Sequence, residues 1–161
     1  MASDTDSAAV RVGDLAPDFE TTAADGAPIK LSSFRGTHNV VLYFYPRDET
    51  PVCTKEACGF RDMYATLRDK DTQVIGVSTD DAESHRRFAA KHDLPYPLVS
   101  DPGRQIAKLY GAAGSVLGLI ARTKRLTFVI DKSGRVVRVL AAELRAGVHI
   151  DGVREALASL G

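Results

Sequence analysis

Val40-Val41-Leu42-Tyr43-Phe44-Tyr45 is a run of six apolar, β-branched or aromatic residues without interruption, and Pro46 closes it. A strand with one face in water alternates polar and apolar residues, so an unbroken run of this length suits a strand covered on both faces. Such a strand belongs in the middle of a sheet with a layer on each side. The residues that follow agree with this. Thr50-Pro51 offers an N-cap and a proline at the first helical position, and Ala57, Phe60, Met63, Tyr64 and Leu67 then recur at helical spacing. They predict a helix of about 17 residues.

Further along, the pattern predicts strands at Thr72 to Val77 and Tyr96 to Ser100 and helices at Ala82 to His92 and Gln105 to Tyr110, the alternation of parallel βαβ units. Gly13, Pro17, Gly26 and Pro28 punctuate Val12 to Leu31 into loops and a small hairpin. Gly111 to Lys124 reads as a loop with a short helical piece. Leu126 to Ile130 and Val136 to Leu140 flank Asp131-Lys132-Ser133-Gly134 as an antiparallel hairpin. His149 to Leu160 closes the chain as a helix with Val153, Ala156, Leu157 and Leu160 on one stripe. The expected fold class is α/β, a thioredoxin-like fold whose central mixed sheet is flanked by helices on both faces. With 161 residues the chain suits one domain, expected over residues 12–161 behind a flexible N-terminal tail at 1–11.

Charge and cysteine content narrow the function classes. The 21 Lys and Arg balance the 21 Asp and Glu, so no long-range field recruits nucleic acid or anionic lipid. The longest apolar stretch, Gly114 to Ala121, falls far short of the ~20 residues a membrane span needs. MASDTDSAAV has no apolar core of a secretory signal, which makes a cytoplasmic location the default expectation. A domain of this size buries its own core, so its two cysteines, Cys53 and Cys58, are not needed as staples.

With Thr50 as N-cap, Cys53 falls at N3, among the unpaired N–H groups and the positive end of the helix dipole. A thiol of pKa near 8.5 is only about 3% thiolate at pH 7, so a useful nucleophile needs a drop of roughly two units, about 2.7 kcal/mol. The helix end supplies ~0.3–2 kcal/mol. A cation at about 4 Å adds up to ~4 kcal/mol at an effective dielectric of 20 and closes the gap. Lys55, Arg47, Arg122 and Arg125 are the candidates. Five residues on, Cys58 lies about 8.6 Å from Cys53 between Cα atoms on an intact helix, beyond the ~7 Å limit for a disulfide. The pair can bond only if the first turns unwind. Each cysteine also has a bland alternative as a small core hydrophobe. His38, His85, His92 and His149 are scattered without a ligand pattern and read as surface or helix-cap residues, so no metal is expected. The C-x-x-C of a thioredoxin-type reductant is absent.

The stretch YFYPRDETPVCTKEACGFRDMY, Tyr43 to Tyr64, closely resembles the peroxiredoxins, specifically the Q-type or bacterioferritin-comigratory subfamily. Pro46, Thr50 and Cys53 fall on the P-x-x-x-T-x-x-C motif, and Cys58 falls where that subfamily often carries a resolving cysteine. GDLAPDFET at Gly13 to Thr21 and RLTFVIDKSGRV at Arg125 to Val136 extend the likeness over nearly the whole chain from Val12. The resemblance implies a peroxidase without metal, haem or flavin cofactor. Cys53 would be the peroxidatic nucleophile, Thr50 would bond thiolate and peroxide, Pro46 would shield the thiolate, and Arg125 would orient peroxide. Cys58 would resolve the sulfenic acid, thioredoxin or a similar dithiol would be the reductant, and the chain would act as a monomer with weak dimerisation open. The departure is Gly111 to Lys124, apolar where many relatives are polar, which keeps Arg122 in view beside Arg125. Two other classes stay open: a thiol-disulfide oxidoreductase on the same fold, and a redox-switched interaction module using an apolar patch at Val116 to Ile120.

Overall fold

The computed structural model describes residues 10–116 and 120–160. In it the apolar run becomes β3 (Asn39–Phe44), buried at every position. Strand β3 is the middle of a five-stranded sheet of order β5-β4-β3-β8-β9. β4 (Thr72–Ser78) and β5 (Leu98–Ser100) continue it in parallel on one side. β8 (Leu126–Ile130) and β9 (Val136–Ala141) continue it antiparallel on the other. Alternate side chains of β3 enter different layers, which is why no polar residue interrupts it. Val40, Leu42 and Phe44 pack with Ile75, Val77, Val99, Phe128 and Ile130 on one face. Val41 and Tyr43, with Tyr45 beyond the strand end, pack with Val74, Leu98 and Val129 on the other.

The second face is covered by α1 (Pro51–Asp69), α2 (Ala82–His92) and α4 (Ala146–Ser159), through Cys53, Ala57, Phe60 and Leu67, through Phe88, and through Val153, Ala156 and Leu157. The first face is covered by the hairpin of β1 (Glu20–Thr22) and β2 (Pro28–Lys30) and by the short α3 (Gln105–Leu109). Helices therefore flank both faces, as the alternation predicts. Gly59 lets α1 and α4 approach closely, since a Cβ there would overlap Ile150. The β8–β9 turn forms as read, with Asp131 Oδ1 accepting from the Ser133 and Arg135 N–H groups and Gly134 at φ +88°.

Two readings are corrected. Gly111 to Lys124 is not a loop with a helical piece: β6 (Ala113–Val116) pairs antiparallel with β7 (Ile120–Thr123), and the Lys124 N–H donates to the Ala112 carbonyl at 2.6 Å. Its glycines masked a strand alternation that pairing satisfies. His85 and His149 are not surface or capping residues but wholly buried, each with both ring nitrogens near hydrogen-bond partners. The tail at residues 1–9 and the centre of the apolar patch, residues 117–119, lie outside the described residues, while Val10 packs partly against the core. Among the described residues no helix is long and apolar enough to cross a membrane.

Candidate active site

Between the end of β3 and the start of α1 the chain turns sharply, with Glu49 in the left-handed region at φ +65°. The turn is tied down from below by Asp48, which is 5% exposed. One carboxylate oxygen accepts from the Tyr45 hydroxyl at 2.6 Å, and the other from the Ser84 hydroxyl at 2.9 Å and His85 Nδ1 at 2.7 Å. The Asp48 N–H donates to Asp80 at 2.7 Å. These bonds fix the loop to α2 and set where α1 begins.

Thr50 stands at the N-cap with extended backbone and Pro51 follows in the first turn, as the sequence predicts. The Thr50 hydroxyl does not cap the helix; it donates back to the Arg47 carbonyl at 3.0 Å. Thr50 and Pro46 are half-buried in this loop, and Cys53 is buried at the third position of α1. Both cysteines carry free thiols on one unbroken helix. Cys58 is half-buried about one and a half turns along, where Asp62 and then the Cys58 sulfur raise the pKa of Arg61.

Of the candidate cations, Arg125 reaches the buried cysteine. It sits just ahead of β8, is 4% exposed, and its Nε donates to the Glu143 carbonyl at 2.8 Å while Nη1 donates to Glu56 Oε1 at 2.9 Å. Burial works against the guanidinium charge, but Glu56 and then Cys53 outweigh it, so its pKa is raised. Arg122 pairs instead with the outer oxygen of Glu143 at 2.7 Å, and Arg47 and Lys55 are exposed. The structure thus brings Cys53 and Arg125 together and leaves Arg122 outside.

Sequence reasoning missed Glu56, which is fully buried three residues after Cys53. Burial raises its pKa to about 7, against the opposing pull of Arg125. The spacing to Cys53 on one helical face was the available signal. Asp48, Asp80 and His85 bring three ligand atoms within 4.8 Å of one another. Their lone pairs and protons are already engaged: Asp80 accepts from Ser78 and Asp48, and His85 Nε2 faces the Val99 carbonyl. That donor set is built as a clasp for the loop rather than as an open coordination site.

The arrangement is a buried thiol at a helix N-terminus against a fixed guanidinium, suited to holding a thiolate. Residues 12–139 match the AhpC/TSA family. Among curated relatives, peroxiredoxin Q of Sedum lineare is 41% identical over 153 residues, 95% of this chain and 81% of that one. Peroxiredoxin Q of Arabidopsis thaliana is 44% identical over 144 residues, 89% of this chain and 65% of that one, so the chain spans about two thirds of its length. Among solved structures, peroxidoxin BcpB of Mycobacterium tuberculosis superposes with a TM-score of 0.87 at 36% identity, covering 94% of this chain and 99% of that one. The bacterioferritin comigratory protein of Xanthomonas campestris, studied for its alkyl peroxide reduction, gives a TM-score of 0.83 at 26% identity over 95% and 98% of the two chains.

Proposed function

The chain belongs to the AhpC/TSA family, and from that membership we propose that it is a thiol peroxidase using Cys53 as nucleophile and Cys58 as resolving thiol. The observation that carries the reading is the buried Cys53 in the first turn of α1 against the fixed Arg125. The Cys53 thiolate attacks the terminal oxygen of hydrogen peroxide or an alkyl hydroperoxide. An S–O bond forms, the O–O bond breaks, and water or alcohol leaves after taking a proton, so that sulfur becomes a sulfenic acid. Arg125 stabilises the thiolate and the departing oxygen. The Thr50 hydroxyl, its hydrogen directed at the Arg47 carbonyl, offers lone pairs to the peroxide O–H. Pro46 limits the access of water.

The Cys58 thiolate then attacks the sulfenic sulfur, releasing water and leaving a disulfide. On intact α1 the two Cα atoms lie about 8.6 Å apart, so this step requires its first turns to open. A thioredoxin-like dithiol returns the pair to thiols, and a reducing compartment such as the cytoplasm suits that turnover. Nothing in the scheme requires a second subunit, and we assign a monomer.

The test is steady-state consumption of peroxide with thioredoxin as donor. Turnover that disappears in Cys53→Ser supports the reading. Insulin reduction without peroxide consumption would replace it with a thiol-disulfide oxidoreductase.

A further inference from the structure

Two buried ionisable groups beside Cys53 have no part in that scheme. Glu56 and His149 are both 0% exposed, and they meet behind Arg125. Glu56 Oε1 accepts from Arg125, but Oε2 has no hydrogen-bond partner and lies 3.5 Å from His149 Nδ1. The neighbours of the ring decide its tautomer. His149 Nε2 faces the Ala142 carbonyl at 2.9 Å, which can only accept, so Nε2 carries a hydrogen. In the neutral ring Nδ1 is then a bare lone pair, and the Thr127 hydroxyl donates to it at 2.8 Å. The one lone pair of Nδ1 is thus taken by Thr127, and Oε2 faces that acceptor without a donor of its own, buried where an unpaired carboxylate oxygen is costly. A proton on Oε2 removes that cost.

The charges close to this oxygen come from every packed element. α1 contributes Cys53 and Glu56, and the start of β8 contributes Arg125. The segment joining β9 to α4 brings Glu143, whose charge acts on both Glu56 and His149. Tyr43 of β3 and Tyr96, which precedes β5, lie near Glu56, and burial pushes both phenols far up, so they stay neutral. With Glu143 shared between the Arg122 side chain and the Arg125 backbone, Arg125 is the one cation directly on Glu56 and Cys53 among the described residues. A buried cation balances one anion, whereas a Cys53 thiolate and a Glu56 carboxylate would make two.

Taking Cys53 as the nucleophile, we infer that Glu56 takes up a proton at Oε2 as Cys53 loses its own, so that thiolate and carboxylate alternate as the single anion against Arg125. The S–H bond is lost and an O–H bond at Oε2 is gained, with no change in oxidation state. Burial raises Glu56 to about 7 and lowers His149, so near neutrality the carboxyl is poised between its two states and the ring stays neutral. His149, whose electron-rich Nδ1 lies 3.5 Å from Oε2 and disfavours the carboxylate there, acts through Glu56 and is a positioning residue. The two ionisations form one coupled titration.

The test follows thiolate absorbance against pH in a Cys58→Ser background, where Cys53 is the titrating thiol. Glu56→Gln keeps an oxygen for Arg125 but cannot become an anion, and the thiolate midpoint is expected to fall, raising the thiolate fraction below it on the order of tenfold. His149→Phe removes the electron-rich Nδ1 that disfavours a carboxylate at Oε2, and the midpoint is expected to rise. If the pair merely braced Arg125, both variants would raise the midpoint or neither would move it, and either result overturns the inference. Where His149→Phe does not fold, difference infrared spectroscopy serves. The protonated-carboxyl band, identified by its loss in Glu56→Gln, is expected to vanish at lower pH in Cys53→Ser than in the parent, and an unchanged band overturns the inference. Failure of the peroxidase reading shows separately, as no sulfenic acid on adding peroxide.

Discussion

Arg125 is held at three points, by the Glu143 side chain at its N–H, the Glu143 carbonyl at Nε and Glu56 at Nη1, so its charge is already placed before a reactant arrives. Preorganised charge of this kind typically carries about 10²–10³-fold in rate. Arg125→Ala is therefore expected to slow the reaction of Cys53 with peroxide by roughly 100-fold or more, measured by stopped flow. Arg122→Ala, which breaks a half-exposed pair, is expected to change it by less than about threefold. The reverse ranking would reassign the cation. Glu56 makes a second residue-level prediction. Its folded pKa of about 7 lies above the ordinary 4.5, so the folded state holds the proton more tightly. The stability this contributes is complete below about pH 4.5 and is lost as pH rises to about 7, roughly 3 kcal/mol in all. Relative to wild type, Glu56→Gln is expected to gain stability across that interval in denaturant titrations. A difference that stays flat with pH would contradict the assignment.

The loop between β3 and α1 depends on a clasp rather than on its own sequence preferences. Asp48→Ala leaves buried His85 Nδ1 with only the Tyr45 hydroxyl at 3.4 Å in place of the carboxylate and strips the Ser84 hydroxyl of its acceptor. The expected cost is about 3–5 kcal/mol in a denaturant melt, and a loss below about 1 kcal/mol would show that the loop is held otherwise. This clasp also marks the limit of what the chain discloses when read in one dimension. Strand β3, the start of α1, Cys53 at its third position and Arg125 ahead of β8 were all legible, because apolar runs, N-caps and motif spacing are local. Asp48, Glu56, His85 and His149 were not, because a charged or imidazole side chain on a helix or loop reads as a solvated one until its partner arrives from a distant element. Asp48 and His85 are 37 residues apart, and Arg125 and Glu56 are 69. The β6–β7 pairing was hidden for a related reason, since Gly114 and its small neighbours carry little strand preference and the ladder itself supplies the structure.

At the scale of the whole molecule, a balanced surface charge, a rigid five-stranded sheet and one helix bearing both thiols fit a chain that completes its oxidation internally. The sheet and the α1–α4 packing hold Arg125 and the far end of α1 in place, leaving the first turns of α1 as the part that opens in the proposed cycle. The claim that joins these features is that one equivalent of peroxide converts Cys53 and Cys58 into a bridge within a single chain. Intact mass spectrometry of the reduced protein, after one equivalent of peroxide and without a reductant, reads this directly. The account predicts a monomeric species lighter by two hydrogens, with the Cys53–Cys58 bond located by proteolysis. A mass increased by one or more oxygens with Cys58 still free, or a disulfide-linked pair of chains, would contradict it.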